Sequence, residues 1–388
     1  MPSPVRLLEV VAAPRHDGTT RPVDTGRRGR GDVLFAAVMA VLLSVHVTIF
    51  FASLMVAPVT AAERSSLELL HLPAEVARVL TLPFAAVLLV SLYVLGARIA
   101  GRWAGMAAIF AVLAVDLRAD AGALVYGPSV ATGGWVAASL LAAALAVVGR
   151  RRYLAAALLG AAAVVHAVTV LALPAFLVAL ALFPASDGPG ARSRLRDGVR
   201  FTGAFAAPFG LGQLVWLLDL GVEGYRARAA ELLGVVDPHP LVPWVEQQRI
   251  VFSMWHFPLE VTLSLAVFLF AAAAVGVVRL FAVPRPEEAA PRALALVRRA
   301  PLELWAAAAT LGAFSAWWSV SGLAVVVDPN LPVLVATVPL ITALAYRGAK
   351  WLLTVNRFWA LCAVTYLVGL VLARSVQLLL TLVQSFSV

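Results

Sequence analysis

Residues 153–183 read YLAAALLGAAAVVHAVTVLALPAFLVALALF, an apolar run closed by arginine at both ends. Arg150, Arg151 and Arg152 precede it, and Arg192, Arg194, Arg196 and Arg200 follow it. Arginine collects on the cytoplasmic side of a membrane, so both ends are expected on that one side. The chain must then enter the bilayer and return within about 31 residues, where two ordinary spanning helices need roughly 40. A short helical pair, 153–166 and 168–184, satisfies this if it meets in the outer half of the bilayer. Gly160, His166 and Pro174 supply irregular or polar points near the bend. Lipid does not tolerate bare backbone, so neighbouring helices or a water-filled cavity must cover the turn.

Working outward, composition sets the class. The chain is 62% hydrophobic and 13% charged, with a mean hydropathy of +0.93, whereas a soluble domain averages about 25% charged. An all-α, polytopic transmembrane bundle is expected. The net charge of +9 is dispersed over short loops with no aromatic-interleaved patch, which argues against a nucleic-acid partner. Cys362 is the one cysteine, so disulfides within the chain and thiolate zinc sites are excluded. Lys350 is the lone lysine among 30 basic residues, pointing to a GC-rich, bacterial genome.

Apolar runs and their charged boundaries give about eleven spans: 33–56, 79–97, 103–117, 131–149, the pair 153–166 and 168–184, 201–219, 259–279, 303–326, 331–346 and 358–386. Residues 1–32 read as a disordered basic cytoplasmic tail, without a cleavable signal, and 33–388 as one transmembrane domain. With the N-terminus inside and the C-terminus outside, inner loops hold 23 of the 30 Lys and Arg, the asymmetry expected of a plasma-membrane (inner-membrane) protein. The outer loops are then 57–78, 116–130 and 219–258.

Those outer loops are acidic. Glu63, Glu68 and Glu75 follow the first span, and Asp116 and Asp120 flank Arg118 after the third. A carboxylate at a membrane surface can act as general base toward a hydroxyl, while a second polar group steadies a departing phosphate. Acids also collect outside simply because bases are kept inside, and Arg118 is equally an ion-pair partner for its neighbours or a bidentate phosphate ligand. The segment 219–258 carries His239, Trp244, Arg249, Trp255 and His256. It reads as a short amphipathic helix near 225–233, a Pro-rich turn and a second short helix near 243–252. Interfacial anchoring and substrate covering suit it equally. His46 and His166 lie at membrane depth, where an ionisable group is either functional or a hydrogen-bonding partner between helices. A metal site is undetermined from spacing, a divalent cation being one option.

Several of these pieces together resemble the GT-C superfamily of membrane glycosyltransferases. They are the acidic first outer loop, Gly101-Arg-Trp-Ala-Gly105, Asp116 to Asp120, Arg150-Arg-Arg152, Leu159-Gly-Ala-Ala-Ala-Val-Val-His166 with Leu171-Ala-Leu-Pro174, and Val236-Asp-Pro-His-Pro-Leu-Val-Pro-Trp244. The resemblance covers most of 33–346. It implies a polyprenyl-phosphate-linked sugar as donor and an extracytoplasmic glycan, lipid or protein as acceptor. It also implies catalytic roles for Glu63, Glu68, Asp116 and Asp120, and donor-phosphate or substrate binding by Arg118, His166, His239, Arg249 and His256. The first loop departs from the family in carrying Glu where members usually carry Asp, and the soluble C-terminal domain of many members is missing. A non-catalytic scaffold or assembly partner, a transporter, and a membrane O-acyltransferase are the competing readings. The scarcity of intramembrane carboxylates speaks against a proton-driven transporter.

Overall fold

The computed structural model describes residues 74–113, 116–118, 124–126, 132–183, 191–232, 271–281, 300–320, 331–337 and 339–355, with isolated positions at 37, 41 and 358. The expected first span apart from positions 37 and 41, and the last apart from position 358, lie outside these residues, as does His46. The helices are α1 (Ala74–Ala100), α2 (Arg102–Leu113), α3 (Thr132–Val147), α4 (Arg152–Val165), α5 (Ala172–Leu182), α6 (Ala191–Leu232), α7 (Ala271–Phe281), α8 (Leu302–Val320), α9 (Leu331–Thr337) and α10 (Pro339–Val355). A ladder of β1 (Asp116–Arg118) and β2 (Leu124–Tyr126) interrupts them, antiparallel, with Asp116 opposite Tyr126. The expected helical class holds.

Two stretches, Pro83–Ala100 and Arg192–Ala227, are long and apolar enough to cross a bilayer by length and composition. Gly134–Val147, Arg152–Val165, Ala167–Leu182 and Ala271–Phe281 are apolar but shorter. Full crossing length is therefore reached by fewer of the described helices than the expected count of about eleven spans.

The short pair is built as α4, a 3-10 turn over Ala167–Leu171, and α5. Its break falls on His166, whose backbone is extended at φ −147, ψ 107. The break is capped on both sides: the His166 N–H donates to the Ala162 carbonyl at 2.8 Å, and its own carbonyl accepts from the Thr169 N–H at 3.1 Å and hydroxyl at 2.8 Å. Pro174 sits in the first turn of α5, where its missing N–H costs nothing. Gly160 is not at the bend. It lies buried inside α4, where an added Cβ would meet the Phe205 carbonyl and Pro208 Cγ of α6. Its role is close helix approach, not turning. The two ends do return to one side, because Arg152 at the head of α4 donates to the Phe183 carbonyl at the end of α5, 2.7 Å away. The pair is splayed rather than zipped: α4 packs on α3 and α6, while α5 packs chiefly on α8.

Gly101-Arg-Trp-Ala-Gly105 acquires a physical meaning here. Gly101, at φ 88, makes the one-residue turn between α1 and α2, a conformation that L side chains rarely adopt. Gly105 then lets α2 lie against α1, since a Cβ there would meet the Tyr93 carbonyl at 2.6 Å. From this hairpin the packing runs α10 to α2 to α1 to α3 to α4 to α6, with α9 against α3 and α8 against α5. The core is Ala- and Leu-rich, with Trp135, Phe176, Phe201 and Phe314 its largest fully buried side chains.

Differences from the expected boundaries have local causes. The basic stretch 191–200 is itself helical and opens α6, because Arg and Leu are good helix formers. At the far end Gly221 (φ 67, ψ 178) joins two helices end to end, and the second, 222–232, overlaps the amphipathic helix expected near 225–233. It is tied back by the Tyr225 hydroxyl on Gln213 Oε1 at 2.9 Å.

The tightest crossing joins α7 to α10. A Cβ on Gly276 would strike the Leu344 carbonyl, and one on Gly348 the Ala272 carbonyl. Both neighbours are backbone, which cannot swing aside. Gly348→Ala is expected to lower stability by about 1–3 kcal/mol, the usual cost of overpacking. Gly203→Ala and Gly210→Ala, facing open space, should stay within about 0.5 kcal/mol of the parent. Thermal unfolding in detergent compares the three, and equal midpoints would refute the crossing.

Candidate functional site

The described loops that charge places on the inside converge at one end of the bundle. Arg98, in the last turn of α1, donates to the Ala146 carbonyl near the end of α3 at 2.7 Å and pairs with Glu303 of α8 at 2.5 Å. Arg347 of α10 donates to the Ile99 carbonyl of α1 at 2.5 Å. Arg152 serves the end of α5 as described and also pairs with Asp197 of α6 at 3.4 Å. Arg279 of α7 lies over the Trp351 ring of α10, 5.2 Å from its centroid. Three helices thus bring their C-terminal carbonyls, which have no partner within the helix, to a face where arginines satisfy them. The arrangement also matches positive charge to the negative end of the helix dipole. The described loops that charge assigned to the inside are knitted together by these contacts.

Distance from this face is set by helix length. α2, of 12 residues, rises about 18 Å, and α4, of 14 residues, about 21 Å at 1.5 Å per residue. The hydrocarbon core is about 30 Å thick. The β1–β2 ladder that follows α2 and the His166 break that follows α4 are therefore both some 20 Å from the arginine end. Asp116 and Arg118 are strand residues paired in register with Tyr126 and Leu124. His166 shares their depth but not their neighbours, because α2 packs on α1 and α10 whereas α4 packs on α3 and α6. Its ring is partly exposed and its Nδ1 buried.

Glu63, Glu68, Asp120, His239, Arg249 and His256 lie outside the described residues. Among the described residues no group of three or more His, Cys, Asp or Glu could hold a metal ion. Three buried hydroxyls are satisfied locally: Ser139, Thr310 and Thr337 each donate to the carbonyl four residues earlier, at 2.7 Å. Trp135, fully buried near the start of α3, holds an indole N–H with no hydrogen-bond partner among the described residues.

Sequence reasoning passed over two functional-looking groups, Glu303 and Asp197, because it looked for acids only on the outer side. The available signal was an acid among arginines. Glu303 follows Arg298 and Arg299, and Asp197 sits between Arg196 and Arg200. In comparisons with known proteins, no family model, no curated protein and no solved structure matches the chain.

Proposed function

We propose that this chain is a polytopic membrane glycosyltransferase of the GT-C type that moves a sugar from a polyprenyl-phosphate donor to an extracytoplasmic acceptor. The observation that carries the reading is the pair of chain breaks some 20 Å from the arginine end. One break bears Asp116 and Arg118, and the other bears His166. Polar backbone at that depth needs protein or water around it, so a cavity open toward the outer side is the natural consequence. Such a cavity admits a lipid-linked donor from the bilayer and an acceptor from outside. With the arginine face cytoplasmic, the N-terminus is inside and the acidic loops are outside.

In the proposed reaction a carboxylate, Glu63 or Glu68, takes the proton of the acceptor hydroxyl. The acceptor oxygen bonds to the anomeric carbon, and the bond from that carbon to the phosphate oxygen breaks, its electron pair leaving with the polyprenyl phosphate. Asp116 or Asp120 orients the acceptor or a divalent cation, and Arg118, Arg249, His239, His256 or His166 holds the donor phosphate. The test is reconstitution into liposomes with radiolabelled polyprenyl-phosphate sugars and a membrane extract as acceptor. Label should move only in vesicles containing the protein. Vesicles that transfer no more than protein-free controls across hexose and pentose donors would leave the non-catalytic scaffold as the better reading.

A further inference from the structure

Two sets of arginines at this face contrast. Arg98, Arg152, Arg279 and Arg347 are taken up by carboxylates, carbonyls or an aromatic ring of the protein itself. Arg192, Arg196 and Arg200 are exposed, and no hydrogen bond or ion pair engages them among the described residues. Asp197, the one acid within 191–200, is turned to Arg152. Among the described residues nothing neutralises these three arginines, which lie on a single turn-by-turn line.

At about 100° per residue, the spacing of four puts Arg192, Arg196 and Arg200 on the same side of α6 as Leu195 and Val199. Leu195 is 71% exposed and Val199 63%. The opposite side is the packed one, carrying buried Phe201, Phe205 and Trp216. Above the arginines the outward side continues with exposed Leu211, Leu214 and Leu218. A cationic base beneath an uninterrupted apolar side is complementary to one kind of molecule, an amphiphile with an anionic head.

We propose that this side of α6 binds an anionic phospholipid of the leaflet at the arginine end. Its phosphate lies among Arg192, Arg196 and Arg200, and its acyl chains run along Leu195, Val199 and the leucines above. Guanidinium groups suit this because each offers a planar fork of donors to phosphate oxygens, and basic clusters beside a span attract anionic headgroups. The proposal needs the bilayer embedding argued above but not sugar transfer.

The experiment follows thermal unfolding of the full chain in neutral detergent while phosphatidylglycerol, phosphatidylcholine or inorganic phosphate is titrated in. Phosphatidylglycerol should raise the midpoint, the other two should not, and the shift should shrink with salt. In Arg192→Gln/Arg196→Gln/Arg200→Gln the concentration for half the effect should rise about 100-fold, with each single variant giving roughly 5-fold. The single variants keep the test open if the triple variant folds poorly. Equal effects of the two lipids, the same shift from phosphate alone, or an unchanged response in the variants would overturn the site. A wild-type protein that is monodisperse in water without detergent would instead sink the membrane reading, and the site with it.

Discussion

Replacing Glu303 by leucine is expected to cost about 3–5 kcal/mol of stability, the effect of leaving a buried charge without its partner. The Arg98 and Glu303 side chains are only 10% and 12% exposed and meet at 2.5 Å. Arg98 also caps the Ala146 carbonyl, so one guanidinium joins α1, α3 and α8. Gly149 makes room for the carboxylate, since a Cβ there would collide with Glu303 Oε1. Removing Glu303 leaves a mostly buried arginine without its carboxylate. The double replacement Arg98→Met/Glu303→Leu removes both charges and should recover most of the loss, because an ion pair withdrawn from water gains little over a packed apolar pair. Equilibrium unfolding in detergent of the parent, both single variants and the double variant decides the matter. If Glu303→Leu lies within about 0.5 kcal/mol of the parent, as for an exposed pair, the clamp has no energetic role.

That clamp also marks where the sequence stops being readable. Short-range signals carried well: the arginine brackets foretold a pair that returns to its starting face, since that reading depends on neighbours along the chain. Gly160 looked like a point of bending because a glycine inside a helix usually weakens it; its real constraint is the Phe205 carbonyl of another helix. The partner of Arg98 lies 205 residues away, and the local sign of Glu303, an acid among arginines, does not say which arginine it meets. Hydropathy also overstated the lengths of some helices. An apolar residue looks the same whether its helix continues or, as after Leu113, gives way to a strand pair. Of the candidate site, what the sequence conveyed was residue type and an expected side of the membrane. Convergence of outer-loop groups depends on how α2 and α4 are spaced by the helices between them, which is a property of packing.

The other large effect is expected on the proposed sugar transfer. Glu63→Gln or Glu68→Gln, whichever supplies the base, should lower the rate of label transfer by about 10²–10⁴-fold, the usual contribution of general-base catalysis. Asp116→Asn or Asp120→Asn should reduce it as well, with part of the loss in acceptor KM if the second acid orients the acceptor. The charge is the relevant property. An amide is nearly isosteric with the carboxylate but does not accept a proton, so the variant should unfold at the parent's temperature while transferring slowly. Depth adds a second expectation. On the proposed embedding, a ladder some 20 Å from the arginine end lies under the outer membrane surface, where the effective dielectric is below that of water and removal of a charge is felt more strongly. A carboxylate on the open outer surface would show the opposite, a small loss that disappears in salt as screening replaces it. Measuring kcat and KM for the four single variants at low and high salt separates these cases. If all four acids are replaced together and transfer persists at the parent's rate, carboxylate-assisted attack is the wrong chemistry for this protein.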